Sequence, residues 1–194
     1  MSADPDKPRW PRADALAVAK RLSAALAPYC ERIEIAGSLR REKPTVGDIE
    51  LLYIPRVTQE PDPNSLLGDL LPVNQADREI AILQRTGILA RRLNCKGAEM
   101  FGPLNKLMLH RYTEIPVDLF ATTEAAWFNY LVCRTGGADN NVAICEAARA
   151  RGYKWNPYAE GFTNLRSGLS QPMHSEEHVF TFVGLPFLPP NQRQ

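Results

Sequence analysis

Residues 37–50 read Gly-Ser-Leu-Arg-Arg-Glu-Lys-Pro-Thr-Val-Gly-Asp-Ile-Glu, and this stretch decides how the chain around it folds. Upstream, residues 32–36 alternate between polar and apolar side chains, which predicts a strand that runs into a glycine turn at Gly37. Downstream, the acidic pair Asp48 and Glu50 opens an apolar run that predicts a second strand. The stretch therefore joins two strands through a sharp turn, with two carboxylates at the start of the second strand.

The two carboxylates of Asp48 and Glu50 lie two residues apart. On a strand this spacing puts both side chains on one face, about 7 Å apart, while Ile49 points the other way into the core. Two like charges on an otherwise apolar strand are costly, because each raises the pKa of the other. A divalent cation removes this cost, so the pair is a candidate metal site. Taken alone, an Asp-x-Glu pair is better interpreted as the solvent face of an edge strand.

The turn before the acids favours the metal site over the edge-strand interpretation. Gly37 lets the backbone approach a triphosphate, and residues 38–41 can direct amide groups, the Ser38 hydroxyl and an arginine side chain at phosphate oxygens. Gly47 would leave room for a ligand beside the strand. A phosphate-binding turn eleven residues before an acidic pair predicts phosphate chemistry that depends on a divalent metal.

A third acid, Asp118, lies between Val117 and Leu119 in a segment that alternates as a strand does. Alone, it is better interpreted as a surface aspartate, but it can join Asp48 and Glu50 if the two strands are neighbours. Three carboxylates can hold two magnesium ions roughly 4 Å apart, one activating a 3′-hydroxyl and one holding a triphosphate. The three acids are therefore the predicted catalytic and metal-binding residues, with Mg²⁺ as the cofactor and Mn²⁺ as an alternative.

The whole sequence predicts an α/β (α+β) fold, in which a mixed sheet flanked by helices precedes a smaller, mainly helical lobe. The apolar spacing predicts helices over 13–26, 74–89, 124–133 and 140–151, strands over 104–112 and 115–121, and a loop or insertion over 56–72. An earlier end of the second helix, at Gly87, stays open. Ser175 can cap a last helix that ends at Gly184. The expected division is one domain over residues 1–121 and a second lobe over residues 122–194.

The composition bounds the class of protein. The net charge is +1, from 23 Lys and Arg against 22 Asp and Glu, so any site for nucleic acid must be local. Basic residues cluster within 40–43, 91–96 and 149–154. The four cysteines are widely spaced, which indicates neither a zinc site nor disulfides, and no apolar run approaches the roughly 18 residues of a membrane span. A soluble intracellular protein is expected.

Two groups of aromatic residues suggest different uses. The first has helical spacing and indicates core packing, namely Trp127, Phe128 and Tyr130. The second lies among basic residues and fits stacking on nucleic acid and core packing equally, namely Tyr153, Trp155 and Tyr158.

Residues 37–50 resemble the palm signature of the family X DNA polymerases, the polymerase beta type. The resemblance continues at residues 117–119, which are similar to the segment with the family's third metal ligand. Residues 135–137, followed by Asn141, resemble its nucleotide-binding turn in the thumb, and residues 176–194 are similar to the end of that thumb. The resemblance therefore covers most of the chain.

This resemblance implies a palm joined to a thumb, with two metals and an incoming nucleotide at their junction. It implies metal ligands at Asp48, Glu50 and Asp118. It implies triphosphate contacts from Ser38 and Arg41, a nucleotide-binding turn at Gly136 and Gly137, and a contact near the base from Asn141. More weakly, Asn156 and Tyr158 match a thumb segment beside the minor groove or the template.

The chain also departs from the family. Larger members carry an N-terminal lyase domain and helix-hairpin-helix modules, whereas only about 30 residues precede the palm here, as in the smallest, palm-and-thumb-only viral members. Cys133-Arg134 stands where the family usually has an aromatic pair, which bears on sugar discrimination. Glu50 stands where most members have aspartate, and its longer carboxylate can still reach a metal.

The expected function is a minimal template-directed DNA polymerase that adds dNMP to a primer 3′-hydroxyl in gap filling or repair. Its expected partners are primer–template or gapped DNA and a dNTP, and we expect a monomer without membrane contact, in the cytoplasm or at the nucleoid, including a phage or viral source. Two alternatives stay open. One is template-independent transfer to an RNA end, a small molecule or a protein, and the other is a non-catalytic nucleic-acid-binding module.

Overall fold

A computed structural model describes residues 8–65 and 67–193 of the chain. Its elements in chain order are β1 (Trp10–Pro11), α1 (Arg12–Leu26), β2 (Cys30–Ile35), α2 (Gly37–Arg40), β3 (Thr45–Val46), β4 (Ile49–Pro55), β5 (Val57–Pro61), β6 (Leu70–Asn74), α3 (Gln75–Arg85), β7 (Leu89–Arg91), β8 (Asn105–His110), β9 (Ile115–Ala121), α4 (Trp127–Thr135), α5 (Ala138–Ala150), β10 (Tyr153–Asn156), β11 (Gly161–Asn164), β12 (Ser170–Gln171) and α6 (Glu176–Phe182). Residues 1–7, with which the expected N-terminal domain begins, lie outside the described residues. Among the described helices, none is long and apolar enough to cross a membrane.

A five-stranded sheet forms the centre of the N-terminal region, in the order β2-β4-β9-β8-β7. β4 and β9 run parallel and the other neighbours run antiparallel, so the sheet is mixed, as predicted. One face of β4 and β9 is fully buried through Ile49, Leu51, Val117 and Leu119. Because side chains alternate along a strand, the residues between these four project from the opposite face.

Helices α1 and α3 cover the buried face of the sheet and share one apolar cluster with it. The helix predicted over 13–26 is confirmed, with its stripe buried from Ala15 to Leu26. α3 begins at a side-chain cap, in which Asn74 Oδ1 accepts a hydrogen bond from the Asp77 N–H at 3.1 Å. It ends at Arg85, in agreement with the earlier of the two predicted ends, because Gly87 adopts a φ of +76° that interrupts the helix.

Residues 56–72 contain a β-hairpin, so the prediction of a loop or insertion is wrong in part. β5 and β6 pair antiparallel, from Val57 opposite Asn74 to Pro61 opposite Leu70, and form a two-stranded sheet of their own. Each strand has one neighbour only, so a proline can face the side that needs no N–H donor. The prolines therefore interrupt the sequence pattern without preventing the hairpin.

Residues beyond 122 form the three predicted helices and a small sheet that was not predicted. α4 begins at Trp127 and α5 at Ala138, each within three residues of its expected start. Ser175 caps α6 as predicted, since its Oγ accepts a hydrogen bond from the His178 N–H at 2.9 Å. The sheet β10-β11-β12 has strands of two to four residues, which are too short to show a period in the sequence.

Helix α4 connects the two regions. Trp127, Tyr130 and Leu131 of α4 pack against Leu52 and Phe120, on the sheet face opposite α1. Further along the helix, Val132 belongs to the core of the C-terminal region, with α5 and α6. α4 thus covers the second half of β4 and β9, and the first half of these strands lies at the junction of the two regions.

Charged contacts reinforce this junction. Arg40 of α2 donates hydrogen bonds to both carboxylate oxygens of Glu176, at 2.6 and 2.9 Å, and to Thr135 Oγ1 at 2.9 Å. The fully buried Arg193 donates to the same carboxylate at 2.5 Å. Burial alone would raise the pKa of Glu176, but Arg40 and then Arg193 outweigh burial and lower it. Glu176 therefore ties α2 and the C-terminal end of the chain to α6.

Candidate catalytic and metal-binding site

Glu50 and Asp118 lie side by side on neighbouring parallel strands. β4 and β9 pair in register, with Glu50 beside Asp118 and Ile49 beside Val117. Ile49 and Val117 are fully buried, so the acids occupy the other face, where their side chains stay 17% and 14% exposed. Asp48 lies one residue before β4 and is half-buried. The condition that the two acid-bearing strands are neighbours is therefore met.

Burial and like charge act together on these acids. Burial, followed by the Asp48 carboxylate, raises the pKa of Glu50 to about 8, although Arg134 opposes the rise. Burial also raises the pKa of Asp118, against the charge of Arg92, and Asp48 adds to the rise. The folded chain therefore holds negative charge here at a cost in free energy, which a bound cation would offset.

Two arginines pair with the acids. Arg92 donates a hydrogen bond to Oδ1 of Asp118, and Nη1 of Arg134 lies 3.6 Å from Oε1 of Glu50. Within the described ranges, no group of three Asp, Glu, His or Cys side chains is close enough to hold one ion. In this arrangement arginines pair with two of the acids, and the convergence of the three carboxylates on shared cations stays a prediction.

The three acids still fit a divalent cation by their chemistry. Mg²⁺ and Mn²⁺ prefer the oxygen ligands that carboxylates supply. Because the backbones at Glu50 and Asp118 are already adjacent, a change of side-chain rotamer rather than of fold would bring their oxygens together. Asp48, Glu50 and Asp118 are therefore the residues that would hold the metal.

The raised pKa of Glu50 predicts that the protein loses stability as the pH rises in a chelating buffer. The folded pKa of about 8 exceeds the ordinary value of 4.5, so the folded state binds this proton more tightly than the unfolded state does. The contribution to stability is therefore fully present below pH 4.5 and is lost as the pH rises through 8. With EDTA present, we expect the melting temperature to fall by several degrees between about pH 5 and about pH 8.

Glu50→Gln provides the control, because the amide does not titrate and should remove most of this fall. Differential scanning fluorimetry across the pH range measures both proteins. A flat wild-type profile, or an equal fall in the variant, would contradict the assignment of the raised pKa to Glu50.

A cavity of about 320 Å³ opens beside the acids. Its lining contains two of the acids and most of the residues predicted to bind nucleotide, namely Ser38, Arg41, Asp48, Glu50, Cys133, Arg134, Gly136, Gly137, Ala138, Asn141 and Tyr158. Gly37 lies against the Glu50 side chain. Neither Gly37 nor Gly47 lines this cavity, and Gly47 lines another one with Trp10 and Pro116. The cavity therefore joins residues from α2, β4 and the start of α5.

Three buried polar atoms of residues that line this cavity have no hydrogen-bond partner among the described residues, namely Ser38 Oγ, Arg41 Nε and Arg134 Nε. A buried polar atom without a partner costs roughly 1–3 kcal/mol, so the Ser38 and Arg41 atoms favour a ligand that supplies one. Arg41 is held in position because its Nη1 donates to the Thr135 carbonyl at 2.7 Å. A phosphate group offers acceptor oxygens to both residues and also suits the N-terminus of α5 nearby.

The turn between α4 and α5 is tightly packed. A Cβ at Gly136 would lie 2.5 Å from Nδ2 of Asn140 and from Oδ1 of Asn141, so a side chain there would displace both asparagine side chains. Asn141 donates its amide to the Cys133 carbonyl at 2.9 Å, which fixes the turn. A contact between Asn141 and a base stays a prediction.

Two residues of this site, Arg92 and Arg134, were not predicted to belong to it, and Tyr158 was matched to it only weakly. Arg92 and Arg134 pair with the acids, and the Arg134 guanidinium lies 3.6 Å from the centre of the Phe120 ring. Tyr158 lines the cavity with 60% of its surface exposed. Arg92 belongs to a basic cluster visible in the sequence, but the sequence does not show which acid it meets.

The structure shows which of the predicted aromatic residues are buried in the core. Trp127 and Tyr130 are buried, which confirms core packing for the first group. Trp155 is buried as well, and its Nε1 donates to Asn129 Oδ1 at 3.1 Å. The prediction that Trp155 stacks on nucleic acid is therefore wrong. Asn156 donates a hydrogen bond to Thr163 Oγ1 at 2.6 Å within its own hairpin.

Comparison with known proteins agrees with this geometry. A family model described as DNA polymerase beta thumb matches residues 130–194. The chain is 25% identical over 189 residues to the DNA polymerase/3′-5′ exonuclease PolX of Bacillus subtilis (strain 168). That alignment covers 96% of this chain and 29% of the relative, so the chain spans less than a third of the relative's length.

Two crystal structures of Leishmania infantum polymerase beta have a similar fold. The ternary P/T complex gives a TM-score of 0.73 at 20% identity, covering 96% of this chain and 77% of that chain. The ternary gap complex gives a TM-score of 0.74 at 18% identity, covering 96% and 71%. The family model and the Bacillus relative confirm the resemblance to the family X DNA polymerases, and the two structures confirm the mixed α/β fold.

Proposed function

We propose that this chain is a metal-dependent DNA nucleotidyltransferase, a minimal template-directed polymerase that adds dNMP to a primer 3′-hydroxyl in gap filling or repair. The observation that carries the proposal is the adjacency of Glu50 and Asp118 beside a cavity with unpartnered phosphate-binding atoms. The resemblance to family X DNA polymerases supports DNA as the acceptor.

Each part of the site has a role in the proposed reaction. Asp48, Glu50 and Asp118 would hold two Mg²⁺ ions, with Mn²⁺ as an alternative. When bound, the ions would supply Lewis-acid chemistry at the 3′-hydroxyl and the triphosphate. Ser38 and Arg41 hold the triphosphate, together with the N-terminus of α5 at Gly136 and Gly137, and Gly37 leaves room for the Glu50 side chain. Asn141 faces the base.

The release of two arginines is the conformational requirement of this proposal. Glu50 must leave Arg134 and Asp118 must leave Arg92 before their oxygens can share a cation. Divalent cations carry twice the charge of a guanidinium and bind carboxylate oxygens directly, which favours the exchange.

We further propose a palm over residues 1–121 and a thumb over residues 122–194, acting as a monomer without membrane contact. Two apolar cores on either side of α4 support this division. The four cysteines are free, which suits a reducing compartment and supports the cytoplasm or the nucleoid as the location.

Primer extension tests the proposal. The full chain is incubated with a labelled primer on a template with a one-nucleotide gap, each dNTP singly, and Mg²⁺ or Mn²⁺. We expect incorporation only of the nucleotide complementary to the templating base, and none with EDTA. Incorporation independent of the template would favour the template-independent transferase, and no incorporation with either metal would favour the non-catalytic module.

A further inference from the structure

A second cavity, of about 580 Å³, lies on the C-terminal region away from the acids. Three arginines line it, Arg149 and Arg151 at the end of α5 and Arg166 in the turn after β11, with Tyr153 and Leu165 between them. Asn141 at the start of α5 lines the nucleotide cavity. Arg149 lies eight residues further along, which is about 12 Å at the helical rise. One helix therefore spans the distance between the two cavities.

The charge of this cavity is not neutralised within the described part of the chain. Eight arginines elsewhere pair with Asp or Glu side chains, including those that hold the junction and the acids. Among the same described residues, Arg149, Arg151 and Arg166 form no such ion pair. The C-terminus of a helix carries a partial negative charge of about half an elementary charge, which three guanidinium groups outweigh. The cavity is therefore a local positive site on a chain whose net charge is only +1.

Two of the three arginines stand on fixed supports. The turn that carries Arg166 is closed by Asn164, whose Oδ1 accepts hydrogen bonds from the N–H groups of Arg166 at 2.9 Å and Ser167 at 3.0 Å. Arg151 packs against Gly184, where an added Cβ would lie 2.8 Å from its Cζ, and Nη1 of Arg151 lies 3.5 Å from the Phe182 carbonyl. The Arg151 side chain and the Arg166 backbone are therefore held in place before a ligand binds.

The exposure of the three arginines favours a nucleic-acid strand over a small anion as the ligand. All three arginines are exposed, so water and salt screen their attraction for any single anion. A polyanion with regularly spaced phosphates contacts several arginines at once and releases a counterion at each contact. The contributions of these contacts to the binding free energy add up. The exposed Leu165 and the partly exposed Tyr153 can contact sugars or bases between the phosphates.

We propose that Arg149, Arg151 and Arg166 bind the phosphate backbone of the unpaired template strand ahead of the primer end. The strand would leave the nucleotide cavity beside Asn141, follow α5 and reach the arginines about 12 Å away. This inference rests on the proposed function, because it assigns the strand that a template-directed polymerase must hold. It adds a template-binding site outside the catalytic cavity.

The test measures the affinity of the full chain for two duplexes by fluorescence anisotropy, without nucleotide and in EDTA. One duplex is blunt, and the other carries a single-stranded 5′ extension of the template. The variant is Arg149→Glu combined with Arg166→Glu, and Arg151 is kept because it packs against Gly184. The control is Arg85→Glu combined with Arg111→Glu, which changes the net charge equally at two exposed arginines of the N-terminal region.

For the wild type we expect the extension to tighten binding about tenfold, and for the variant we expect this gain to disappear. The salt dependence of binding to the extended duplex should weaken by about 1.4 in slope, since each lost single-strand phosphate contact contributes about 0.7. The control should keep the gain, and the melting temperatures of the two double variants should fall by a similar small amount, because each places a glutamate in the last turn of a helix. A gain that persists in the variant, or an equal loss in variant and control, would overturn the inference.

Failure of the inference and failure of the proposed function give different results. If the variant binds the extension like the wild type while the wild type extends primers, the template site is wrong and the polymerase stands. In the opposite case the wild type fails to extend primers, while the single-stranded template extension still increases its affinity for the duplex and the arginine variant loses this increase. The strand site then stands and the catalytic proposal fails. Equal weakening of the blunt and extended duplexes in the variant would assign the arginines to duplex DNA and overturn the template assignment.

Discussion

Asp118→Asn is expected to slow primer extension by about a thousandfold while leaving the fold at least as stable as before. Metal ions held by carboxylates contribute several kcal/mol to the stabilisation of transition-state charge, and about 4 kcal/mol corresponds to a thousandfold in rate. An amide keeps the shape of the side chain but removes the anionic oxygen that a cation requires. Single-turnover extension of a labelled primer with Mg²⁺ measures the loss.

The expected effect of this substitution on stability has a separate cause. Burial raises the pKa of Asp118 even though Arg92 pairs with it, so its ionised form is less favourable in the folded chain than in water. Asparagine removes the charge, and Arg92, whose side chain is 25% exposed, can turn toward solvent. We therefore expect the melting temperature in EDTA to stay the same or rise.

Asp14→Asn is the matched control. Asp14 is exposed in the first turn of α1, so this variant loses the same charge outside the site. It should extend primers at the wild-type rate. Full activity of Asp118→Asn, or equal losses in both variants, would show that Asp118 is not a metal ligand.

Gly37→Ala is expected to slow primer extension by about a hundredfold and to lower the melting temperature. Gly37 has a φ of +62°, where a side chain costs roughly 1–2 kcal/mol, or about 2–8 °C in a chain of this size. A Cβ there would also overlap Oε2 of Glu50 and lie 3.1 Å from its Cδ, so the carboxylate would have to move. A shift of about 1 Å at a catalytic group can cost about a hundredfold in rate.

Gly87→Ala separates the backbone strain from the displacement of Glu50. Gly87 has a φ of +76°, but nothing lies within 4 Å of an added Cβ, and it follows α3 outside the site. The melting temperature of this variant should fall by a similar amount, and its rate of primer extension should equal that of the wild type. If Gly37→Ala also keeps the wild-type rate, Gly37 serves only as a turn and does not make room for the Glu50 carboxylate.

Short-range signals in the sequence were sufficient to predict the strands that carry the acids. The turn at Gly37 requires a positive φ, and the alternation around Glu50 and Asp118 assigns each acid to the face opposite a buried neighbour. The Ser175 cap depends on residues three positions apart and can be predicted from the sequence in the same way. Each of these features is decided by a few consecutive side chains.

The charge pairs of the site could not be predicted, because they depend on how distant elements pack. Arg40 and Arg41 are adjacent in the sequence, yet Arg40 binds Glu176 whereas Arg41 lines the cavity. Arg92 and Arg134 reach the acids from the segment after β7 and from α4. The sequence indicates that cations are present, but only the tertiary structure shows which carboxylate each one meets.

The small sheets escaped prediction for a different reason. The strands β10, β11 and β12 contain too few residues to show an alternating period, and the prolines of β5 and β6 obscure the alternation of the hairpin. Their hydrogen bonds, rather than any local preference, define them.

The most direct test is a crystal structure of the chain with gapped DNA, a non-hydrolysable dNTP analogue and Mn²⁺, read from the anomalous scattering of manganese. We expect two manganese peaks about 4 Å apart, bonded to carboxylate oxygens of Asp48, Glu50 and Asp118, with Arg92 and Arg134 released from the acids. Manganese bound elsewhere, or an Asp118 that still pairs with Arg92 when nucleotide and metal are present, would contradict the assignment of these three acids.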